Sequence, residues 1–579
     1  MSQVGLFAAA VAVAVGGGTA AAAQPSPVTV AGLPVDKAAG RGAKMPFDEY
    51  EAENGRFVGT VVGPSRRFTE ISSEASGRRA VRLQRIGDYV EITLAHPANA
   101  ISVRAAIPDT PDGRGRKSAL SVSANSRKLG TLAITSEYGW FYGAYPFSNR
   151  PSDGLPHHFF DESRLLLAEV LPAGTKVRIE VRAEAQAPWH VIDLMDFELV
   201  APPAAMPAGA VSLTELGADP SGRKDSTPAL KRAIRAAQNA SGSVWIGPGT
   251  FRIDGHVIVD RVRIHGAGPW LSILRGRGAG FYGKPAPNGS TDVELRDFAL
   301  IGEVRERKDH EQLSGIGGAF SRSIISNVWL QHHKVGIWLD GPLDALRISG
   351  VRIVDNTADG INLRRGATNS VIENVFVRNS GDDGIALWSH RQPDSNVVIR
   401  NNTVVAPILA NGIAIYGGNG VQITGNLVAD TVTQGGGIHL GNRFDAVPLS
   451  GSVSVRNNLL VRSGSYDPNW RFGVGAFWIY ALDHPVTAEI QITELEIIDS
   501  TLPAILFIGQ RITGVRFDGL KVKGAAQWLQ ARGGGTAIFQ DVQASDLEHA
   551  GWLKCDGFAA TFGRVSPELQ GESNGRCVR

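Results

Sequence analysis

Ile353-Val354-Asp355-Asn356-Thr357-Ala358-Asp359-Gly360-Ile361 and Val377-Arg378-Asn379-Ser380-Gly381-Asp382-Asp383-Gly384-Ile385 are two versions of one line of sequence. Asp359 and Asp383 stand 24 residues apart, and each precedes a Gly-Ile pair. Such pairs begin at Gly336, Gly360, Gly384, Gly412 and Gly437, at spacings of 24, 24, 28 and 25. Between them lie short apolar triplets such as Val397-Val398-Ile399 and Val421-Gln422-Ile423. A period in the twenties, built from short strands with no helix in each repeat, predicts an all-β solenoid: a right-handed parallel β-helix.

A second mark runs through the same coils as Asn327-Val328, Asn374-Val375, Asn402-Thr403, Asn426-Leu427 and Asn458-Leu459. Stacked amides satisfy one another inside a coil, so these asparagines are expected to form an internal ladder at a turn. Upstream, the stretch Pro228 to Gln238 reads as one amphipathic helix, suited to covering the open end of a solenoid core.

At 579 residues the chain is too long for one compact core. Its 69 glycines and 20% charged residues suit a turn-rich β protein. The net charge of +2 does not mark a nucleic-acid binder. Residues 1–23 read as a signal peptide, with an apolar run from Leu6 to Val15 and Ala21-Ala22-Ala23 at the cleavage end. Glycines 16 to 18 interrupt that run well short of the ~20 residues a membrane span needs. A secreted, extracellular protein without a membrane anchor is expected, and a monomer. The two cysteines, Cys555 and Cys577, are expected to pair in that oxidising compartment.

Residues 24–44 are rich in Pro, Gly and Ala and read as a flexible leader. Over 45–200, alternating runs such as Tyr89-Val90-Glu91-Ile92-Thr93-Leu94, separated by Gly/Pro/Asp turns, predict a β-sandwich. The Pro/Ala-rich stretch 201–209 reads as a stiff linker, and 210–579 as the β-helix. The aromatic stretch Tyr138 to Phe160 either binds sugar or packs the sandwich on the β-helix, and packing is favoured.

Rungs of a parallel β-helix lie about 4.8 Å apart. Aligned by the repeat, one column reads Val335, Asp359, Asp383, Asn411, Gly436. Two ionised carboxylates at that spacing repel by roughly 3 kcal/mol at an effective dielectric of 20, which favours a retained proton on one of them. A shared proton beside further carboxylates is what glycosidic hydrolysis needs. Adjacent strand residues point to opposite faces, so Asp382 joins this group only if the chain bends, which Gly381 and Gly384 allow. Downstream aromatics offer faces for sugar rings, with Trp388, Tyr416 and Trp478 chosen as substrate contacts. His390 and His439 are the chosen hydrogen-bonding histidines; His332 and His333 lie on nearby coils.

The segments Asp359-Gly360-Ile361-Asn362 and Asn379 to Trp388 resemble glycoside hydrolase family 87, the mycodextranases and α-1,3-glucanases, over most of residues 45–545. The resemblance implies a pectin-lyase-like β-helix and an endo-acting, inverting hydrolase of α-1,3-glucan or nigeran, with Asp359, Asp382 and Asp383 catalytic. By analogy with related β-helix hydrolases, Asp382 would be the acid and the other two would hold the water. No cofactor is expected for catalysis. The polygalacturonase Gly-His-Gly is replaced here by Asn411-Gly412-Ile413, which weakens a uronate substrate. In the sandwich, Phe47 to Asn54 and Val191 to Glu198 resemble the first and last strands of carbohydrate-binding modules of families 6 and 35. That likeness implies a structural calcium with Glu51, Glu53 and Asp196 as candidate ligands. The alternatives are another β-helix hydrolase, of dextranase or pectinase type, and a non-catalytic glycan-binding β-helix.

Overall fold

The computed structural model describes residues 24–240, 242–555 and 557–573. The signal peptide expected at 1–23 and Cys577, the expected partner of Cys555, lie outside them. Among the described residues no helix is long and apolar enough to cross a membrane.

Two lobes follow one another. The first is a β-sandwich of an eight-stranded and a five-stranded sheet. Strands of the smaller sheet, such as Tyr89–Thr93, alternate between buried and half-buried residues, as a sheet with one wet face should. Strands Ala98–Ala106 and His190–Glu198 of the larger sheet are buried along almost their whole length. One face packs on the sandwich core around Val103, Leu120 and Met195. The other face meets the second lobe. There Glu49, Glu162 and Asp196 of the sandwich surround the Arg378 guanidinium, which is 1% exposed. Arg104 bonds Asn379 at 3.2 Å, and Arg352 bonds Glu198 at 2.8 Å.

Residues 24–44 correct the expectation of a flexible leader. Thr29–Val30 and Leu33–Pro34 form a hairpin joined to the larger sheet through Glu49. Beyond it the chain lies on the β-helix: Gly42 N donates to Gly425 O, Ala43 N to Thr403 Oγ1 and Lys44 N to Asn374 Oδ1. A Pro/Ala/Gly composition reports local stiffness and polarity, and these backbone contacts to distant coils leave no trace in it.

The second lobe is a right-handed parallel β-helix capped by the helix Thr227–Asn239, which buries Ala229, Leu230, Ala233, Ile234 and Ala237. Each coil carries three short strands, for example Val371–Glu373, Phe376–Ser380 and Ile385–Trp388. The column Ile337, Ile361, Ile385, Ile413, Ile438 stacks in register and is fully buried. The asparagine ladder exists, but it is shorter than expected. Asn402 Nδ2 donates to Asn426 Oδ1 at 3.0 Å and Asn426 Nδ2 to Asn458 Oδ1 at 2.9 Å. Asn374 is not part of it, because Phe376 pairs with Thr403 and Val375 therefore fills the ladder position. A one-residue offset sends a side chain to the other face. Asn327 is likewise outside, exposed and bonded to Asp297.

Candidate active site

In the turn between Phe376–Ser380 and Ile385–Trp388 the chain must bend sharply to bring Asp382 beside Asp383. Asn379 supplies a left-handed conformation, φ 61°, matching Asp355 one coil earlier at φ 54°. Gly381 is required for close approach, since a Cβ there would sit 2.3 Å from Thr357 O. The Ser380 hydroxyl donates to Asp382 O at 2.9 Å and braces the turn. Asp359, Asp382 and Asp383 thus converge, with ligand oxygens within 4.8 Å of one another. They lie in the wall of a cavity of about 1140 Å³ reaching from His256 and Tyr282 on early coils to Trp470 on late ones.

The three acids have different surroundings. Asp383 Oδ1 accepts from Asn411 N at 2.8 Å and Asn411 Nδ2 at 2.9 Å, while Oδ2 accepts from the Tyr416 hydroxyl at 2.7 Å. The Asn411 amide cannot turn over, because its Oδ1 already accepts from Trp478 Nε1 at 2.8 Å and Gly436 N at 3.0 Å. Asp382 accepts from Arg307 Nη2 at 2.6 Å on Oδ2 and from Asp383 N at 3.0 Å on Oδ1. Asp359 receives one side-chain donor, Asn362 Nδ2 at 3.0 Å on Oδ2. Burial, reinforced by Asp382 and Asp383, raises Asp359 well above the usual carboxylate range. Burial and the Asp382 charge also push Asp383 up, to about 7, against the pull of its donors.

Of the residues expected to touch substrate, Trp388 and Tyr416 line the cavity. Trp388 is pinned by its Nε1 bond to Phe444 O at 2.9 Å, and Tyr416 is bound to Asp383. Trp478 and His439 are fully buried and are corrected to supporting roles. Their rings stack at 3.8 Å, and Trp478 orients Asn411. His390 faces Arg364, with Arg364 Nη2 2.7 Å from its Nδ1. His332 and His333 are buried, His332 against Asp161 at the lobe interface and His333 beneath Leu300 O. Arg307, in the cavity wall, was not foreseen; Tyr145, also in the wall, was foreseen only as part of the aromatic stretch Tyr138 to Phe160, and it bonds Asp309 of the β-helix lobe. Arg307 sits in the charged run Glu303 to Glu311, which reads as an ordinary solvated loop.

Two groups of three potential ligands converge among the described residues, the acid group and Asp161/His332/Asp355, and neither contains Glu51, Glu53 or Asp196. Asp196 Oδ2 is engaged by Arg378, so the expected set of three is not assembled. Glu51 and Glu53 each keep one buried oxygen without a partner, at the edge of a cavity of about 730 Å³.

Comparison with known proteins points one way. The families described as α-1,3-glucanase catalytic domain D1 and domain D2 match residues 44–200 and 221–445. The solved catalytic unit of a thermostable GH87 α-1,3-glucanase from Streptomyces thermodiastaticus strain HF3-3 is 38% identical, with a TM-score of 0.83 over 90% of this chain and 96% of that one. The Agl-KA catalytic domain is 25% identical, with a TM-score of 0.85 over 90% and 98%. A GH87 α-1,3-glucanase catalytic domain solved with nigerose is 25% identical, with a TM-score of 0.78 over 93% and 99%. Alanine variants of such a domain, solved with nigerose or tetrasaccharides, replace three aspartates spaced by 23 residues and then by one. No curated protein matches this chain.

Proposed function

The chain belongs to the α-1,3-glucanases of glycoside hydrolase family 87 and is a hydrolase of α-1,3-glucan, and on that premise we propose that it cuts within the polymer, with inversion, at Asp359, Asp382 and Asp383. The observation that carries this reading is the convergence of the three acids in the wall of a cavity that continues past them along the coils in both directions. A groove open on either side of the acids suits internal cleavage. The spacing of the aspartates replaced in the related structures, 23 residues and then one, is also that of Asp359, Asp382 and Asp383.

The surroundings of the acids support a division of labour. Asp359, raised by burial and by its neighbours' charge, holds the proton that the departing glucosyl oxygen takes. Asp359 is preferred here to Asp382, the acid expected by analogy with related β-helix hydrolases, because Asp382 is engaged by Arg307 and the Asp383 amide while Asp359 has the one side-chain donor Asn362. Asp383 and Asp382 orient and deprotonate the attacking water. Carboxyl groups this close would by separation alone suit a retaining pair. Three donors fix the Asp383 carboxylate in place and leave Oδ2 one acceptor site, which on this reading takes the proton of the attacking water.

The test is release of new reducing ends from a panel of insoluble α-1,3-glucan, nigeran, dextran and pectin, followed by proton NMR of the first product. Cleavage confined to the α-1,3-linked polymers with initial β-anomer is expected; dextran or pectin cleavage sinks the substrate, and initial α-anomer the stereochemistry. Asp359→Asn should retain turnover on an α-glucosyl fluoride donor, whose leaving group needs no proton, while losing it on glucan. Secretion, proposed from the apolar run at Leu6 to Val15, predicts activity in the medium and a mature chain starting near Gln24. A monomer is proposed, and light scattering checks it. A structural calcium held by Glu51 and Glu53 is proposed from their unpartnered oxygens, and a chelator-dependent loss of thermal stability is the expected sign.

A further inference from the structure

Segment 302–313, between strands Glu294–Ile301 and Ser314–Gly318, carries no strand of its own, so side chains must hold its shape. It delivers Arg307 to the acid group. The Arg307 side chain is 7% exposed; Nη2 donates to Asp382 Oδ2 at 2.6 Å, Nη1 to Gly381 O at 3.3 Å and Nε to Asp309 Oδ1 at 3.0 Å. One fork of a planar group is therefore fixed on the acids, and the other end rests on Asp309. Asp309 is in turn held from the other lobe, where the Tyr145 hydroxyl donates to its Oδ2. The Tyr145 ring lies 5.0 Å from the guanidinium carbon. Asn149, four residues on, donates to Arg305 O at 3.1 Å. From the β-helix side, Lys334 Nζ donates to Asp309 O at 2.8 Å and to Glu311 O at 2.5 Å. The segment is clamped between the two lobes, and the sandwich supplies one jaw.

We propose that Tyr145 of the sandwich lobe is a positioning residue for the acid group, acting through Asp309 and Arg307 on Asp382. The proposal rests on Asp359, Asp382 and Asp383 being the reacting acids. Without the hydroxyl, Asp309 loses its outer anchor and Arg307 can swing away from Asp382. A misplacement of about 1 Å at a reacting group can lower a rate by up to about 10²-fold, and here one of several restraints is removed. Arg307 also holds Asp359 down against the other two acids, so a displaced guanidinium lets Asp359 keep its proton to higher pH.

The experiment compares the full chain with its Tyr145→Phe, Asp309→Asn and double variants on whichever glucan of the panel the native chain cleaves. A wrong substrate assignment therefore fails that reading without touching this one. Tyr145→Phe should lower kcat about tenfold with KM within about twofold, move the alkaline limb of the pH profile upward and leave Tm unchanged. The double variant should be no slower than Asp309→Asn alone, because both act through one chain of contacts. Tyr142→Phe is the control: its hydroxyl bonds Asp109 inside the sandwich at 2.9 Å, and native kinetics are expected. Native kcat and pH profile in Tyr145→Phe overturn the proposal. So does a rise in KM at native kcat, which would make Tyr145 a sugar contact, or an equal loss in Tyr142→Phe, which would make the effect one of loop folding.

Discussion

Replacing Arg378 by Met tests how the two lobes are joined. In the native protein the buried guanidinium reaches Glu162 Oε1 at 2.6 Å, Asp196 Oδ2 at 2.5 Å and Glu49 Oε2 at 3.2 Å. Burial alone would raise Glu162, but the Arg378 charge outweighs it and holds Glu162 below its ordinary value. Removing one member of a buried ion cluster costs about 3–5 kcal/mol, because the partners are left without compensation. With an unfolding entropy of about 2.1 cal/mol/K per residue and 579 residues, that is a Tm lower by about 3–4 °C if the lobes melt together. The loss must depend on pH. Native Glu162 is depressed, so its contribution is present above its unfolded value and disappears only in acid. In the variant, Glu162 and Asp196 lose the guanidinium that contacts them and their carboxyls rise, so the stability they contribute falls as pH rises. The gap between the two proteins should therefore be widest above about pH 7 and narrow towards about pH 5. Scanning calorimetry of both proteins across that range is the assay. An equal Tm at pH 7.5, or a gap that stays constant as the pH falls, refutes the reasoning.

Asp359→Asn, Asp382→Asn and Asp383→Asn should each lower turnover on α-1,3-glucan by about 10²–10⁴-fold with folding intact; near-native activity in any one removes it from the acid group. Asn426→Leu should destabilise by about 2–5 kcal/mol in denaturant titration, because Asn402 N and Ile399 O both lose their buried partner, and a native midpoint would argue against the ladder. Burial raises Asp161 and Asp355 to about 8 and Glu74 to about 7, a contribution complete below about pH 4 and lost as pH rises through those values. The buried histidines His157, His332 and His333, lowered to about 4, contribute above about pH 6.5 and lose that only in acid, so Tm should fall between about pH 6.5 and 9; a flat or rising Tm there contradicts this. A chain starting at Ala208 should aggregate or be inactive on soluble and insoluble glucan alike; full activity on soluble oligosaccharides alone would show a separable module.

The acid column was legible because stacking in a β-helix converts sequence period into spatial register. The spacing of Gly-Ile pairs aligned Asp359 with Asp383 and Asn411, and the paired strands keep that alignment. Trp478 and His439 do stand in the column that contains Asn362, Ala386 and Ala414. What alternation could not show is that the hairpin of Ser465–Asp467 and Phe472–Val474 brings Trp470 and Phe472 over that column and buries Trp478. Period and alternation describe coils. They are silent about the segments between coils, to which Arg307 and the lid over Trp478 belong, and about the loops of the other lobe, to which Tyr145 belongs.

The same distinction explains why the sandwich looked like a binding module. Its strand ends carry acids where a metal-binding module would carry them, and a single sequence gives no means of telling a ligand carboxylate from one that meets a cation on another lobe. Asp196 meets Arg378 and Asp193 meets Arg104, which also bonds Asn379, the left-handed residue leading into the turn of Asp382 and Asp383. Asn379 Nδ2 in turn donates to Phe160 O and to Asp355. The turn that carries Asp382 and Asp383 is thus fastened from behind by the sandwich through Arg104 and Phe160, and from the cavity side through Tyr145. A lobe attached at both sides of the turn that carries Asp382 and Asp383 works as part of the frame of the cavity, and its acids Asp193 and Asp196 are explained by the arginines they hold.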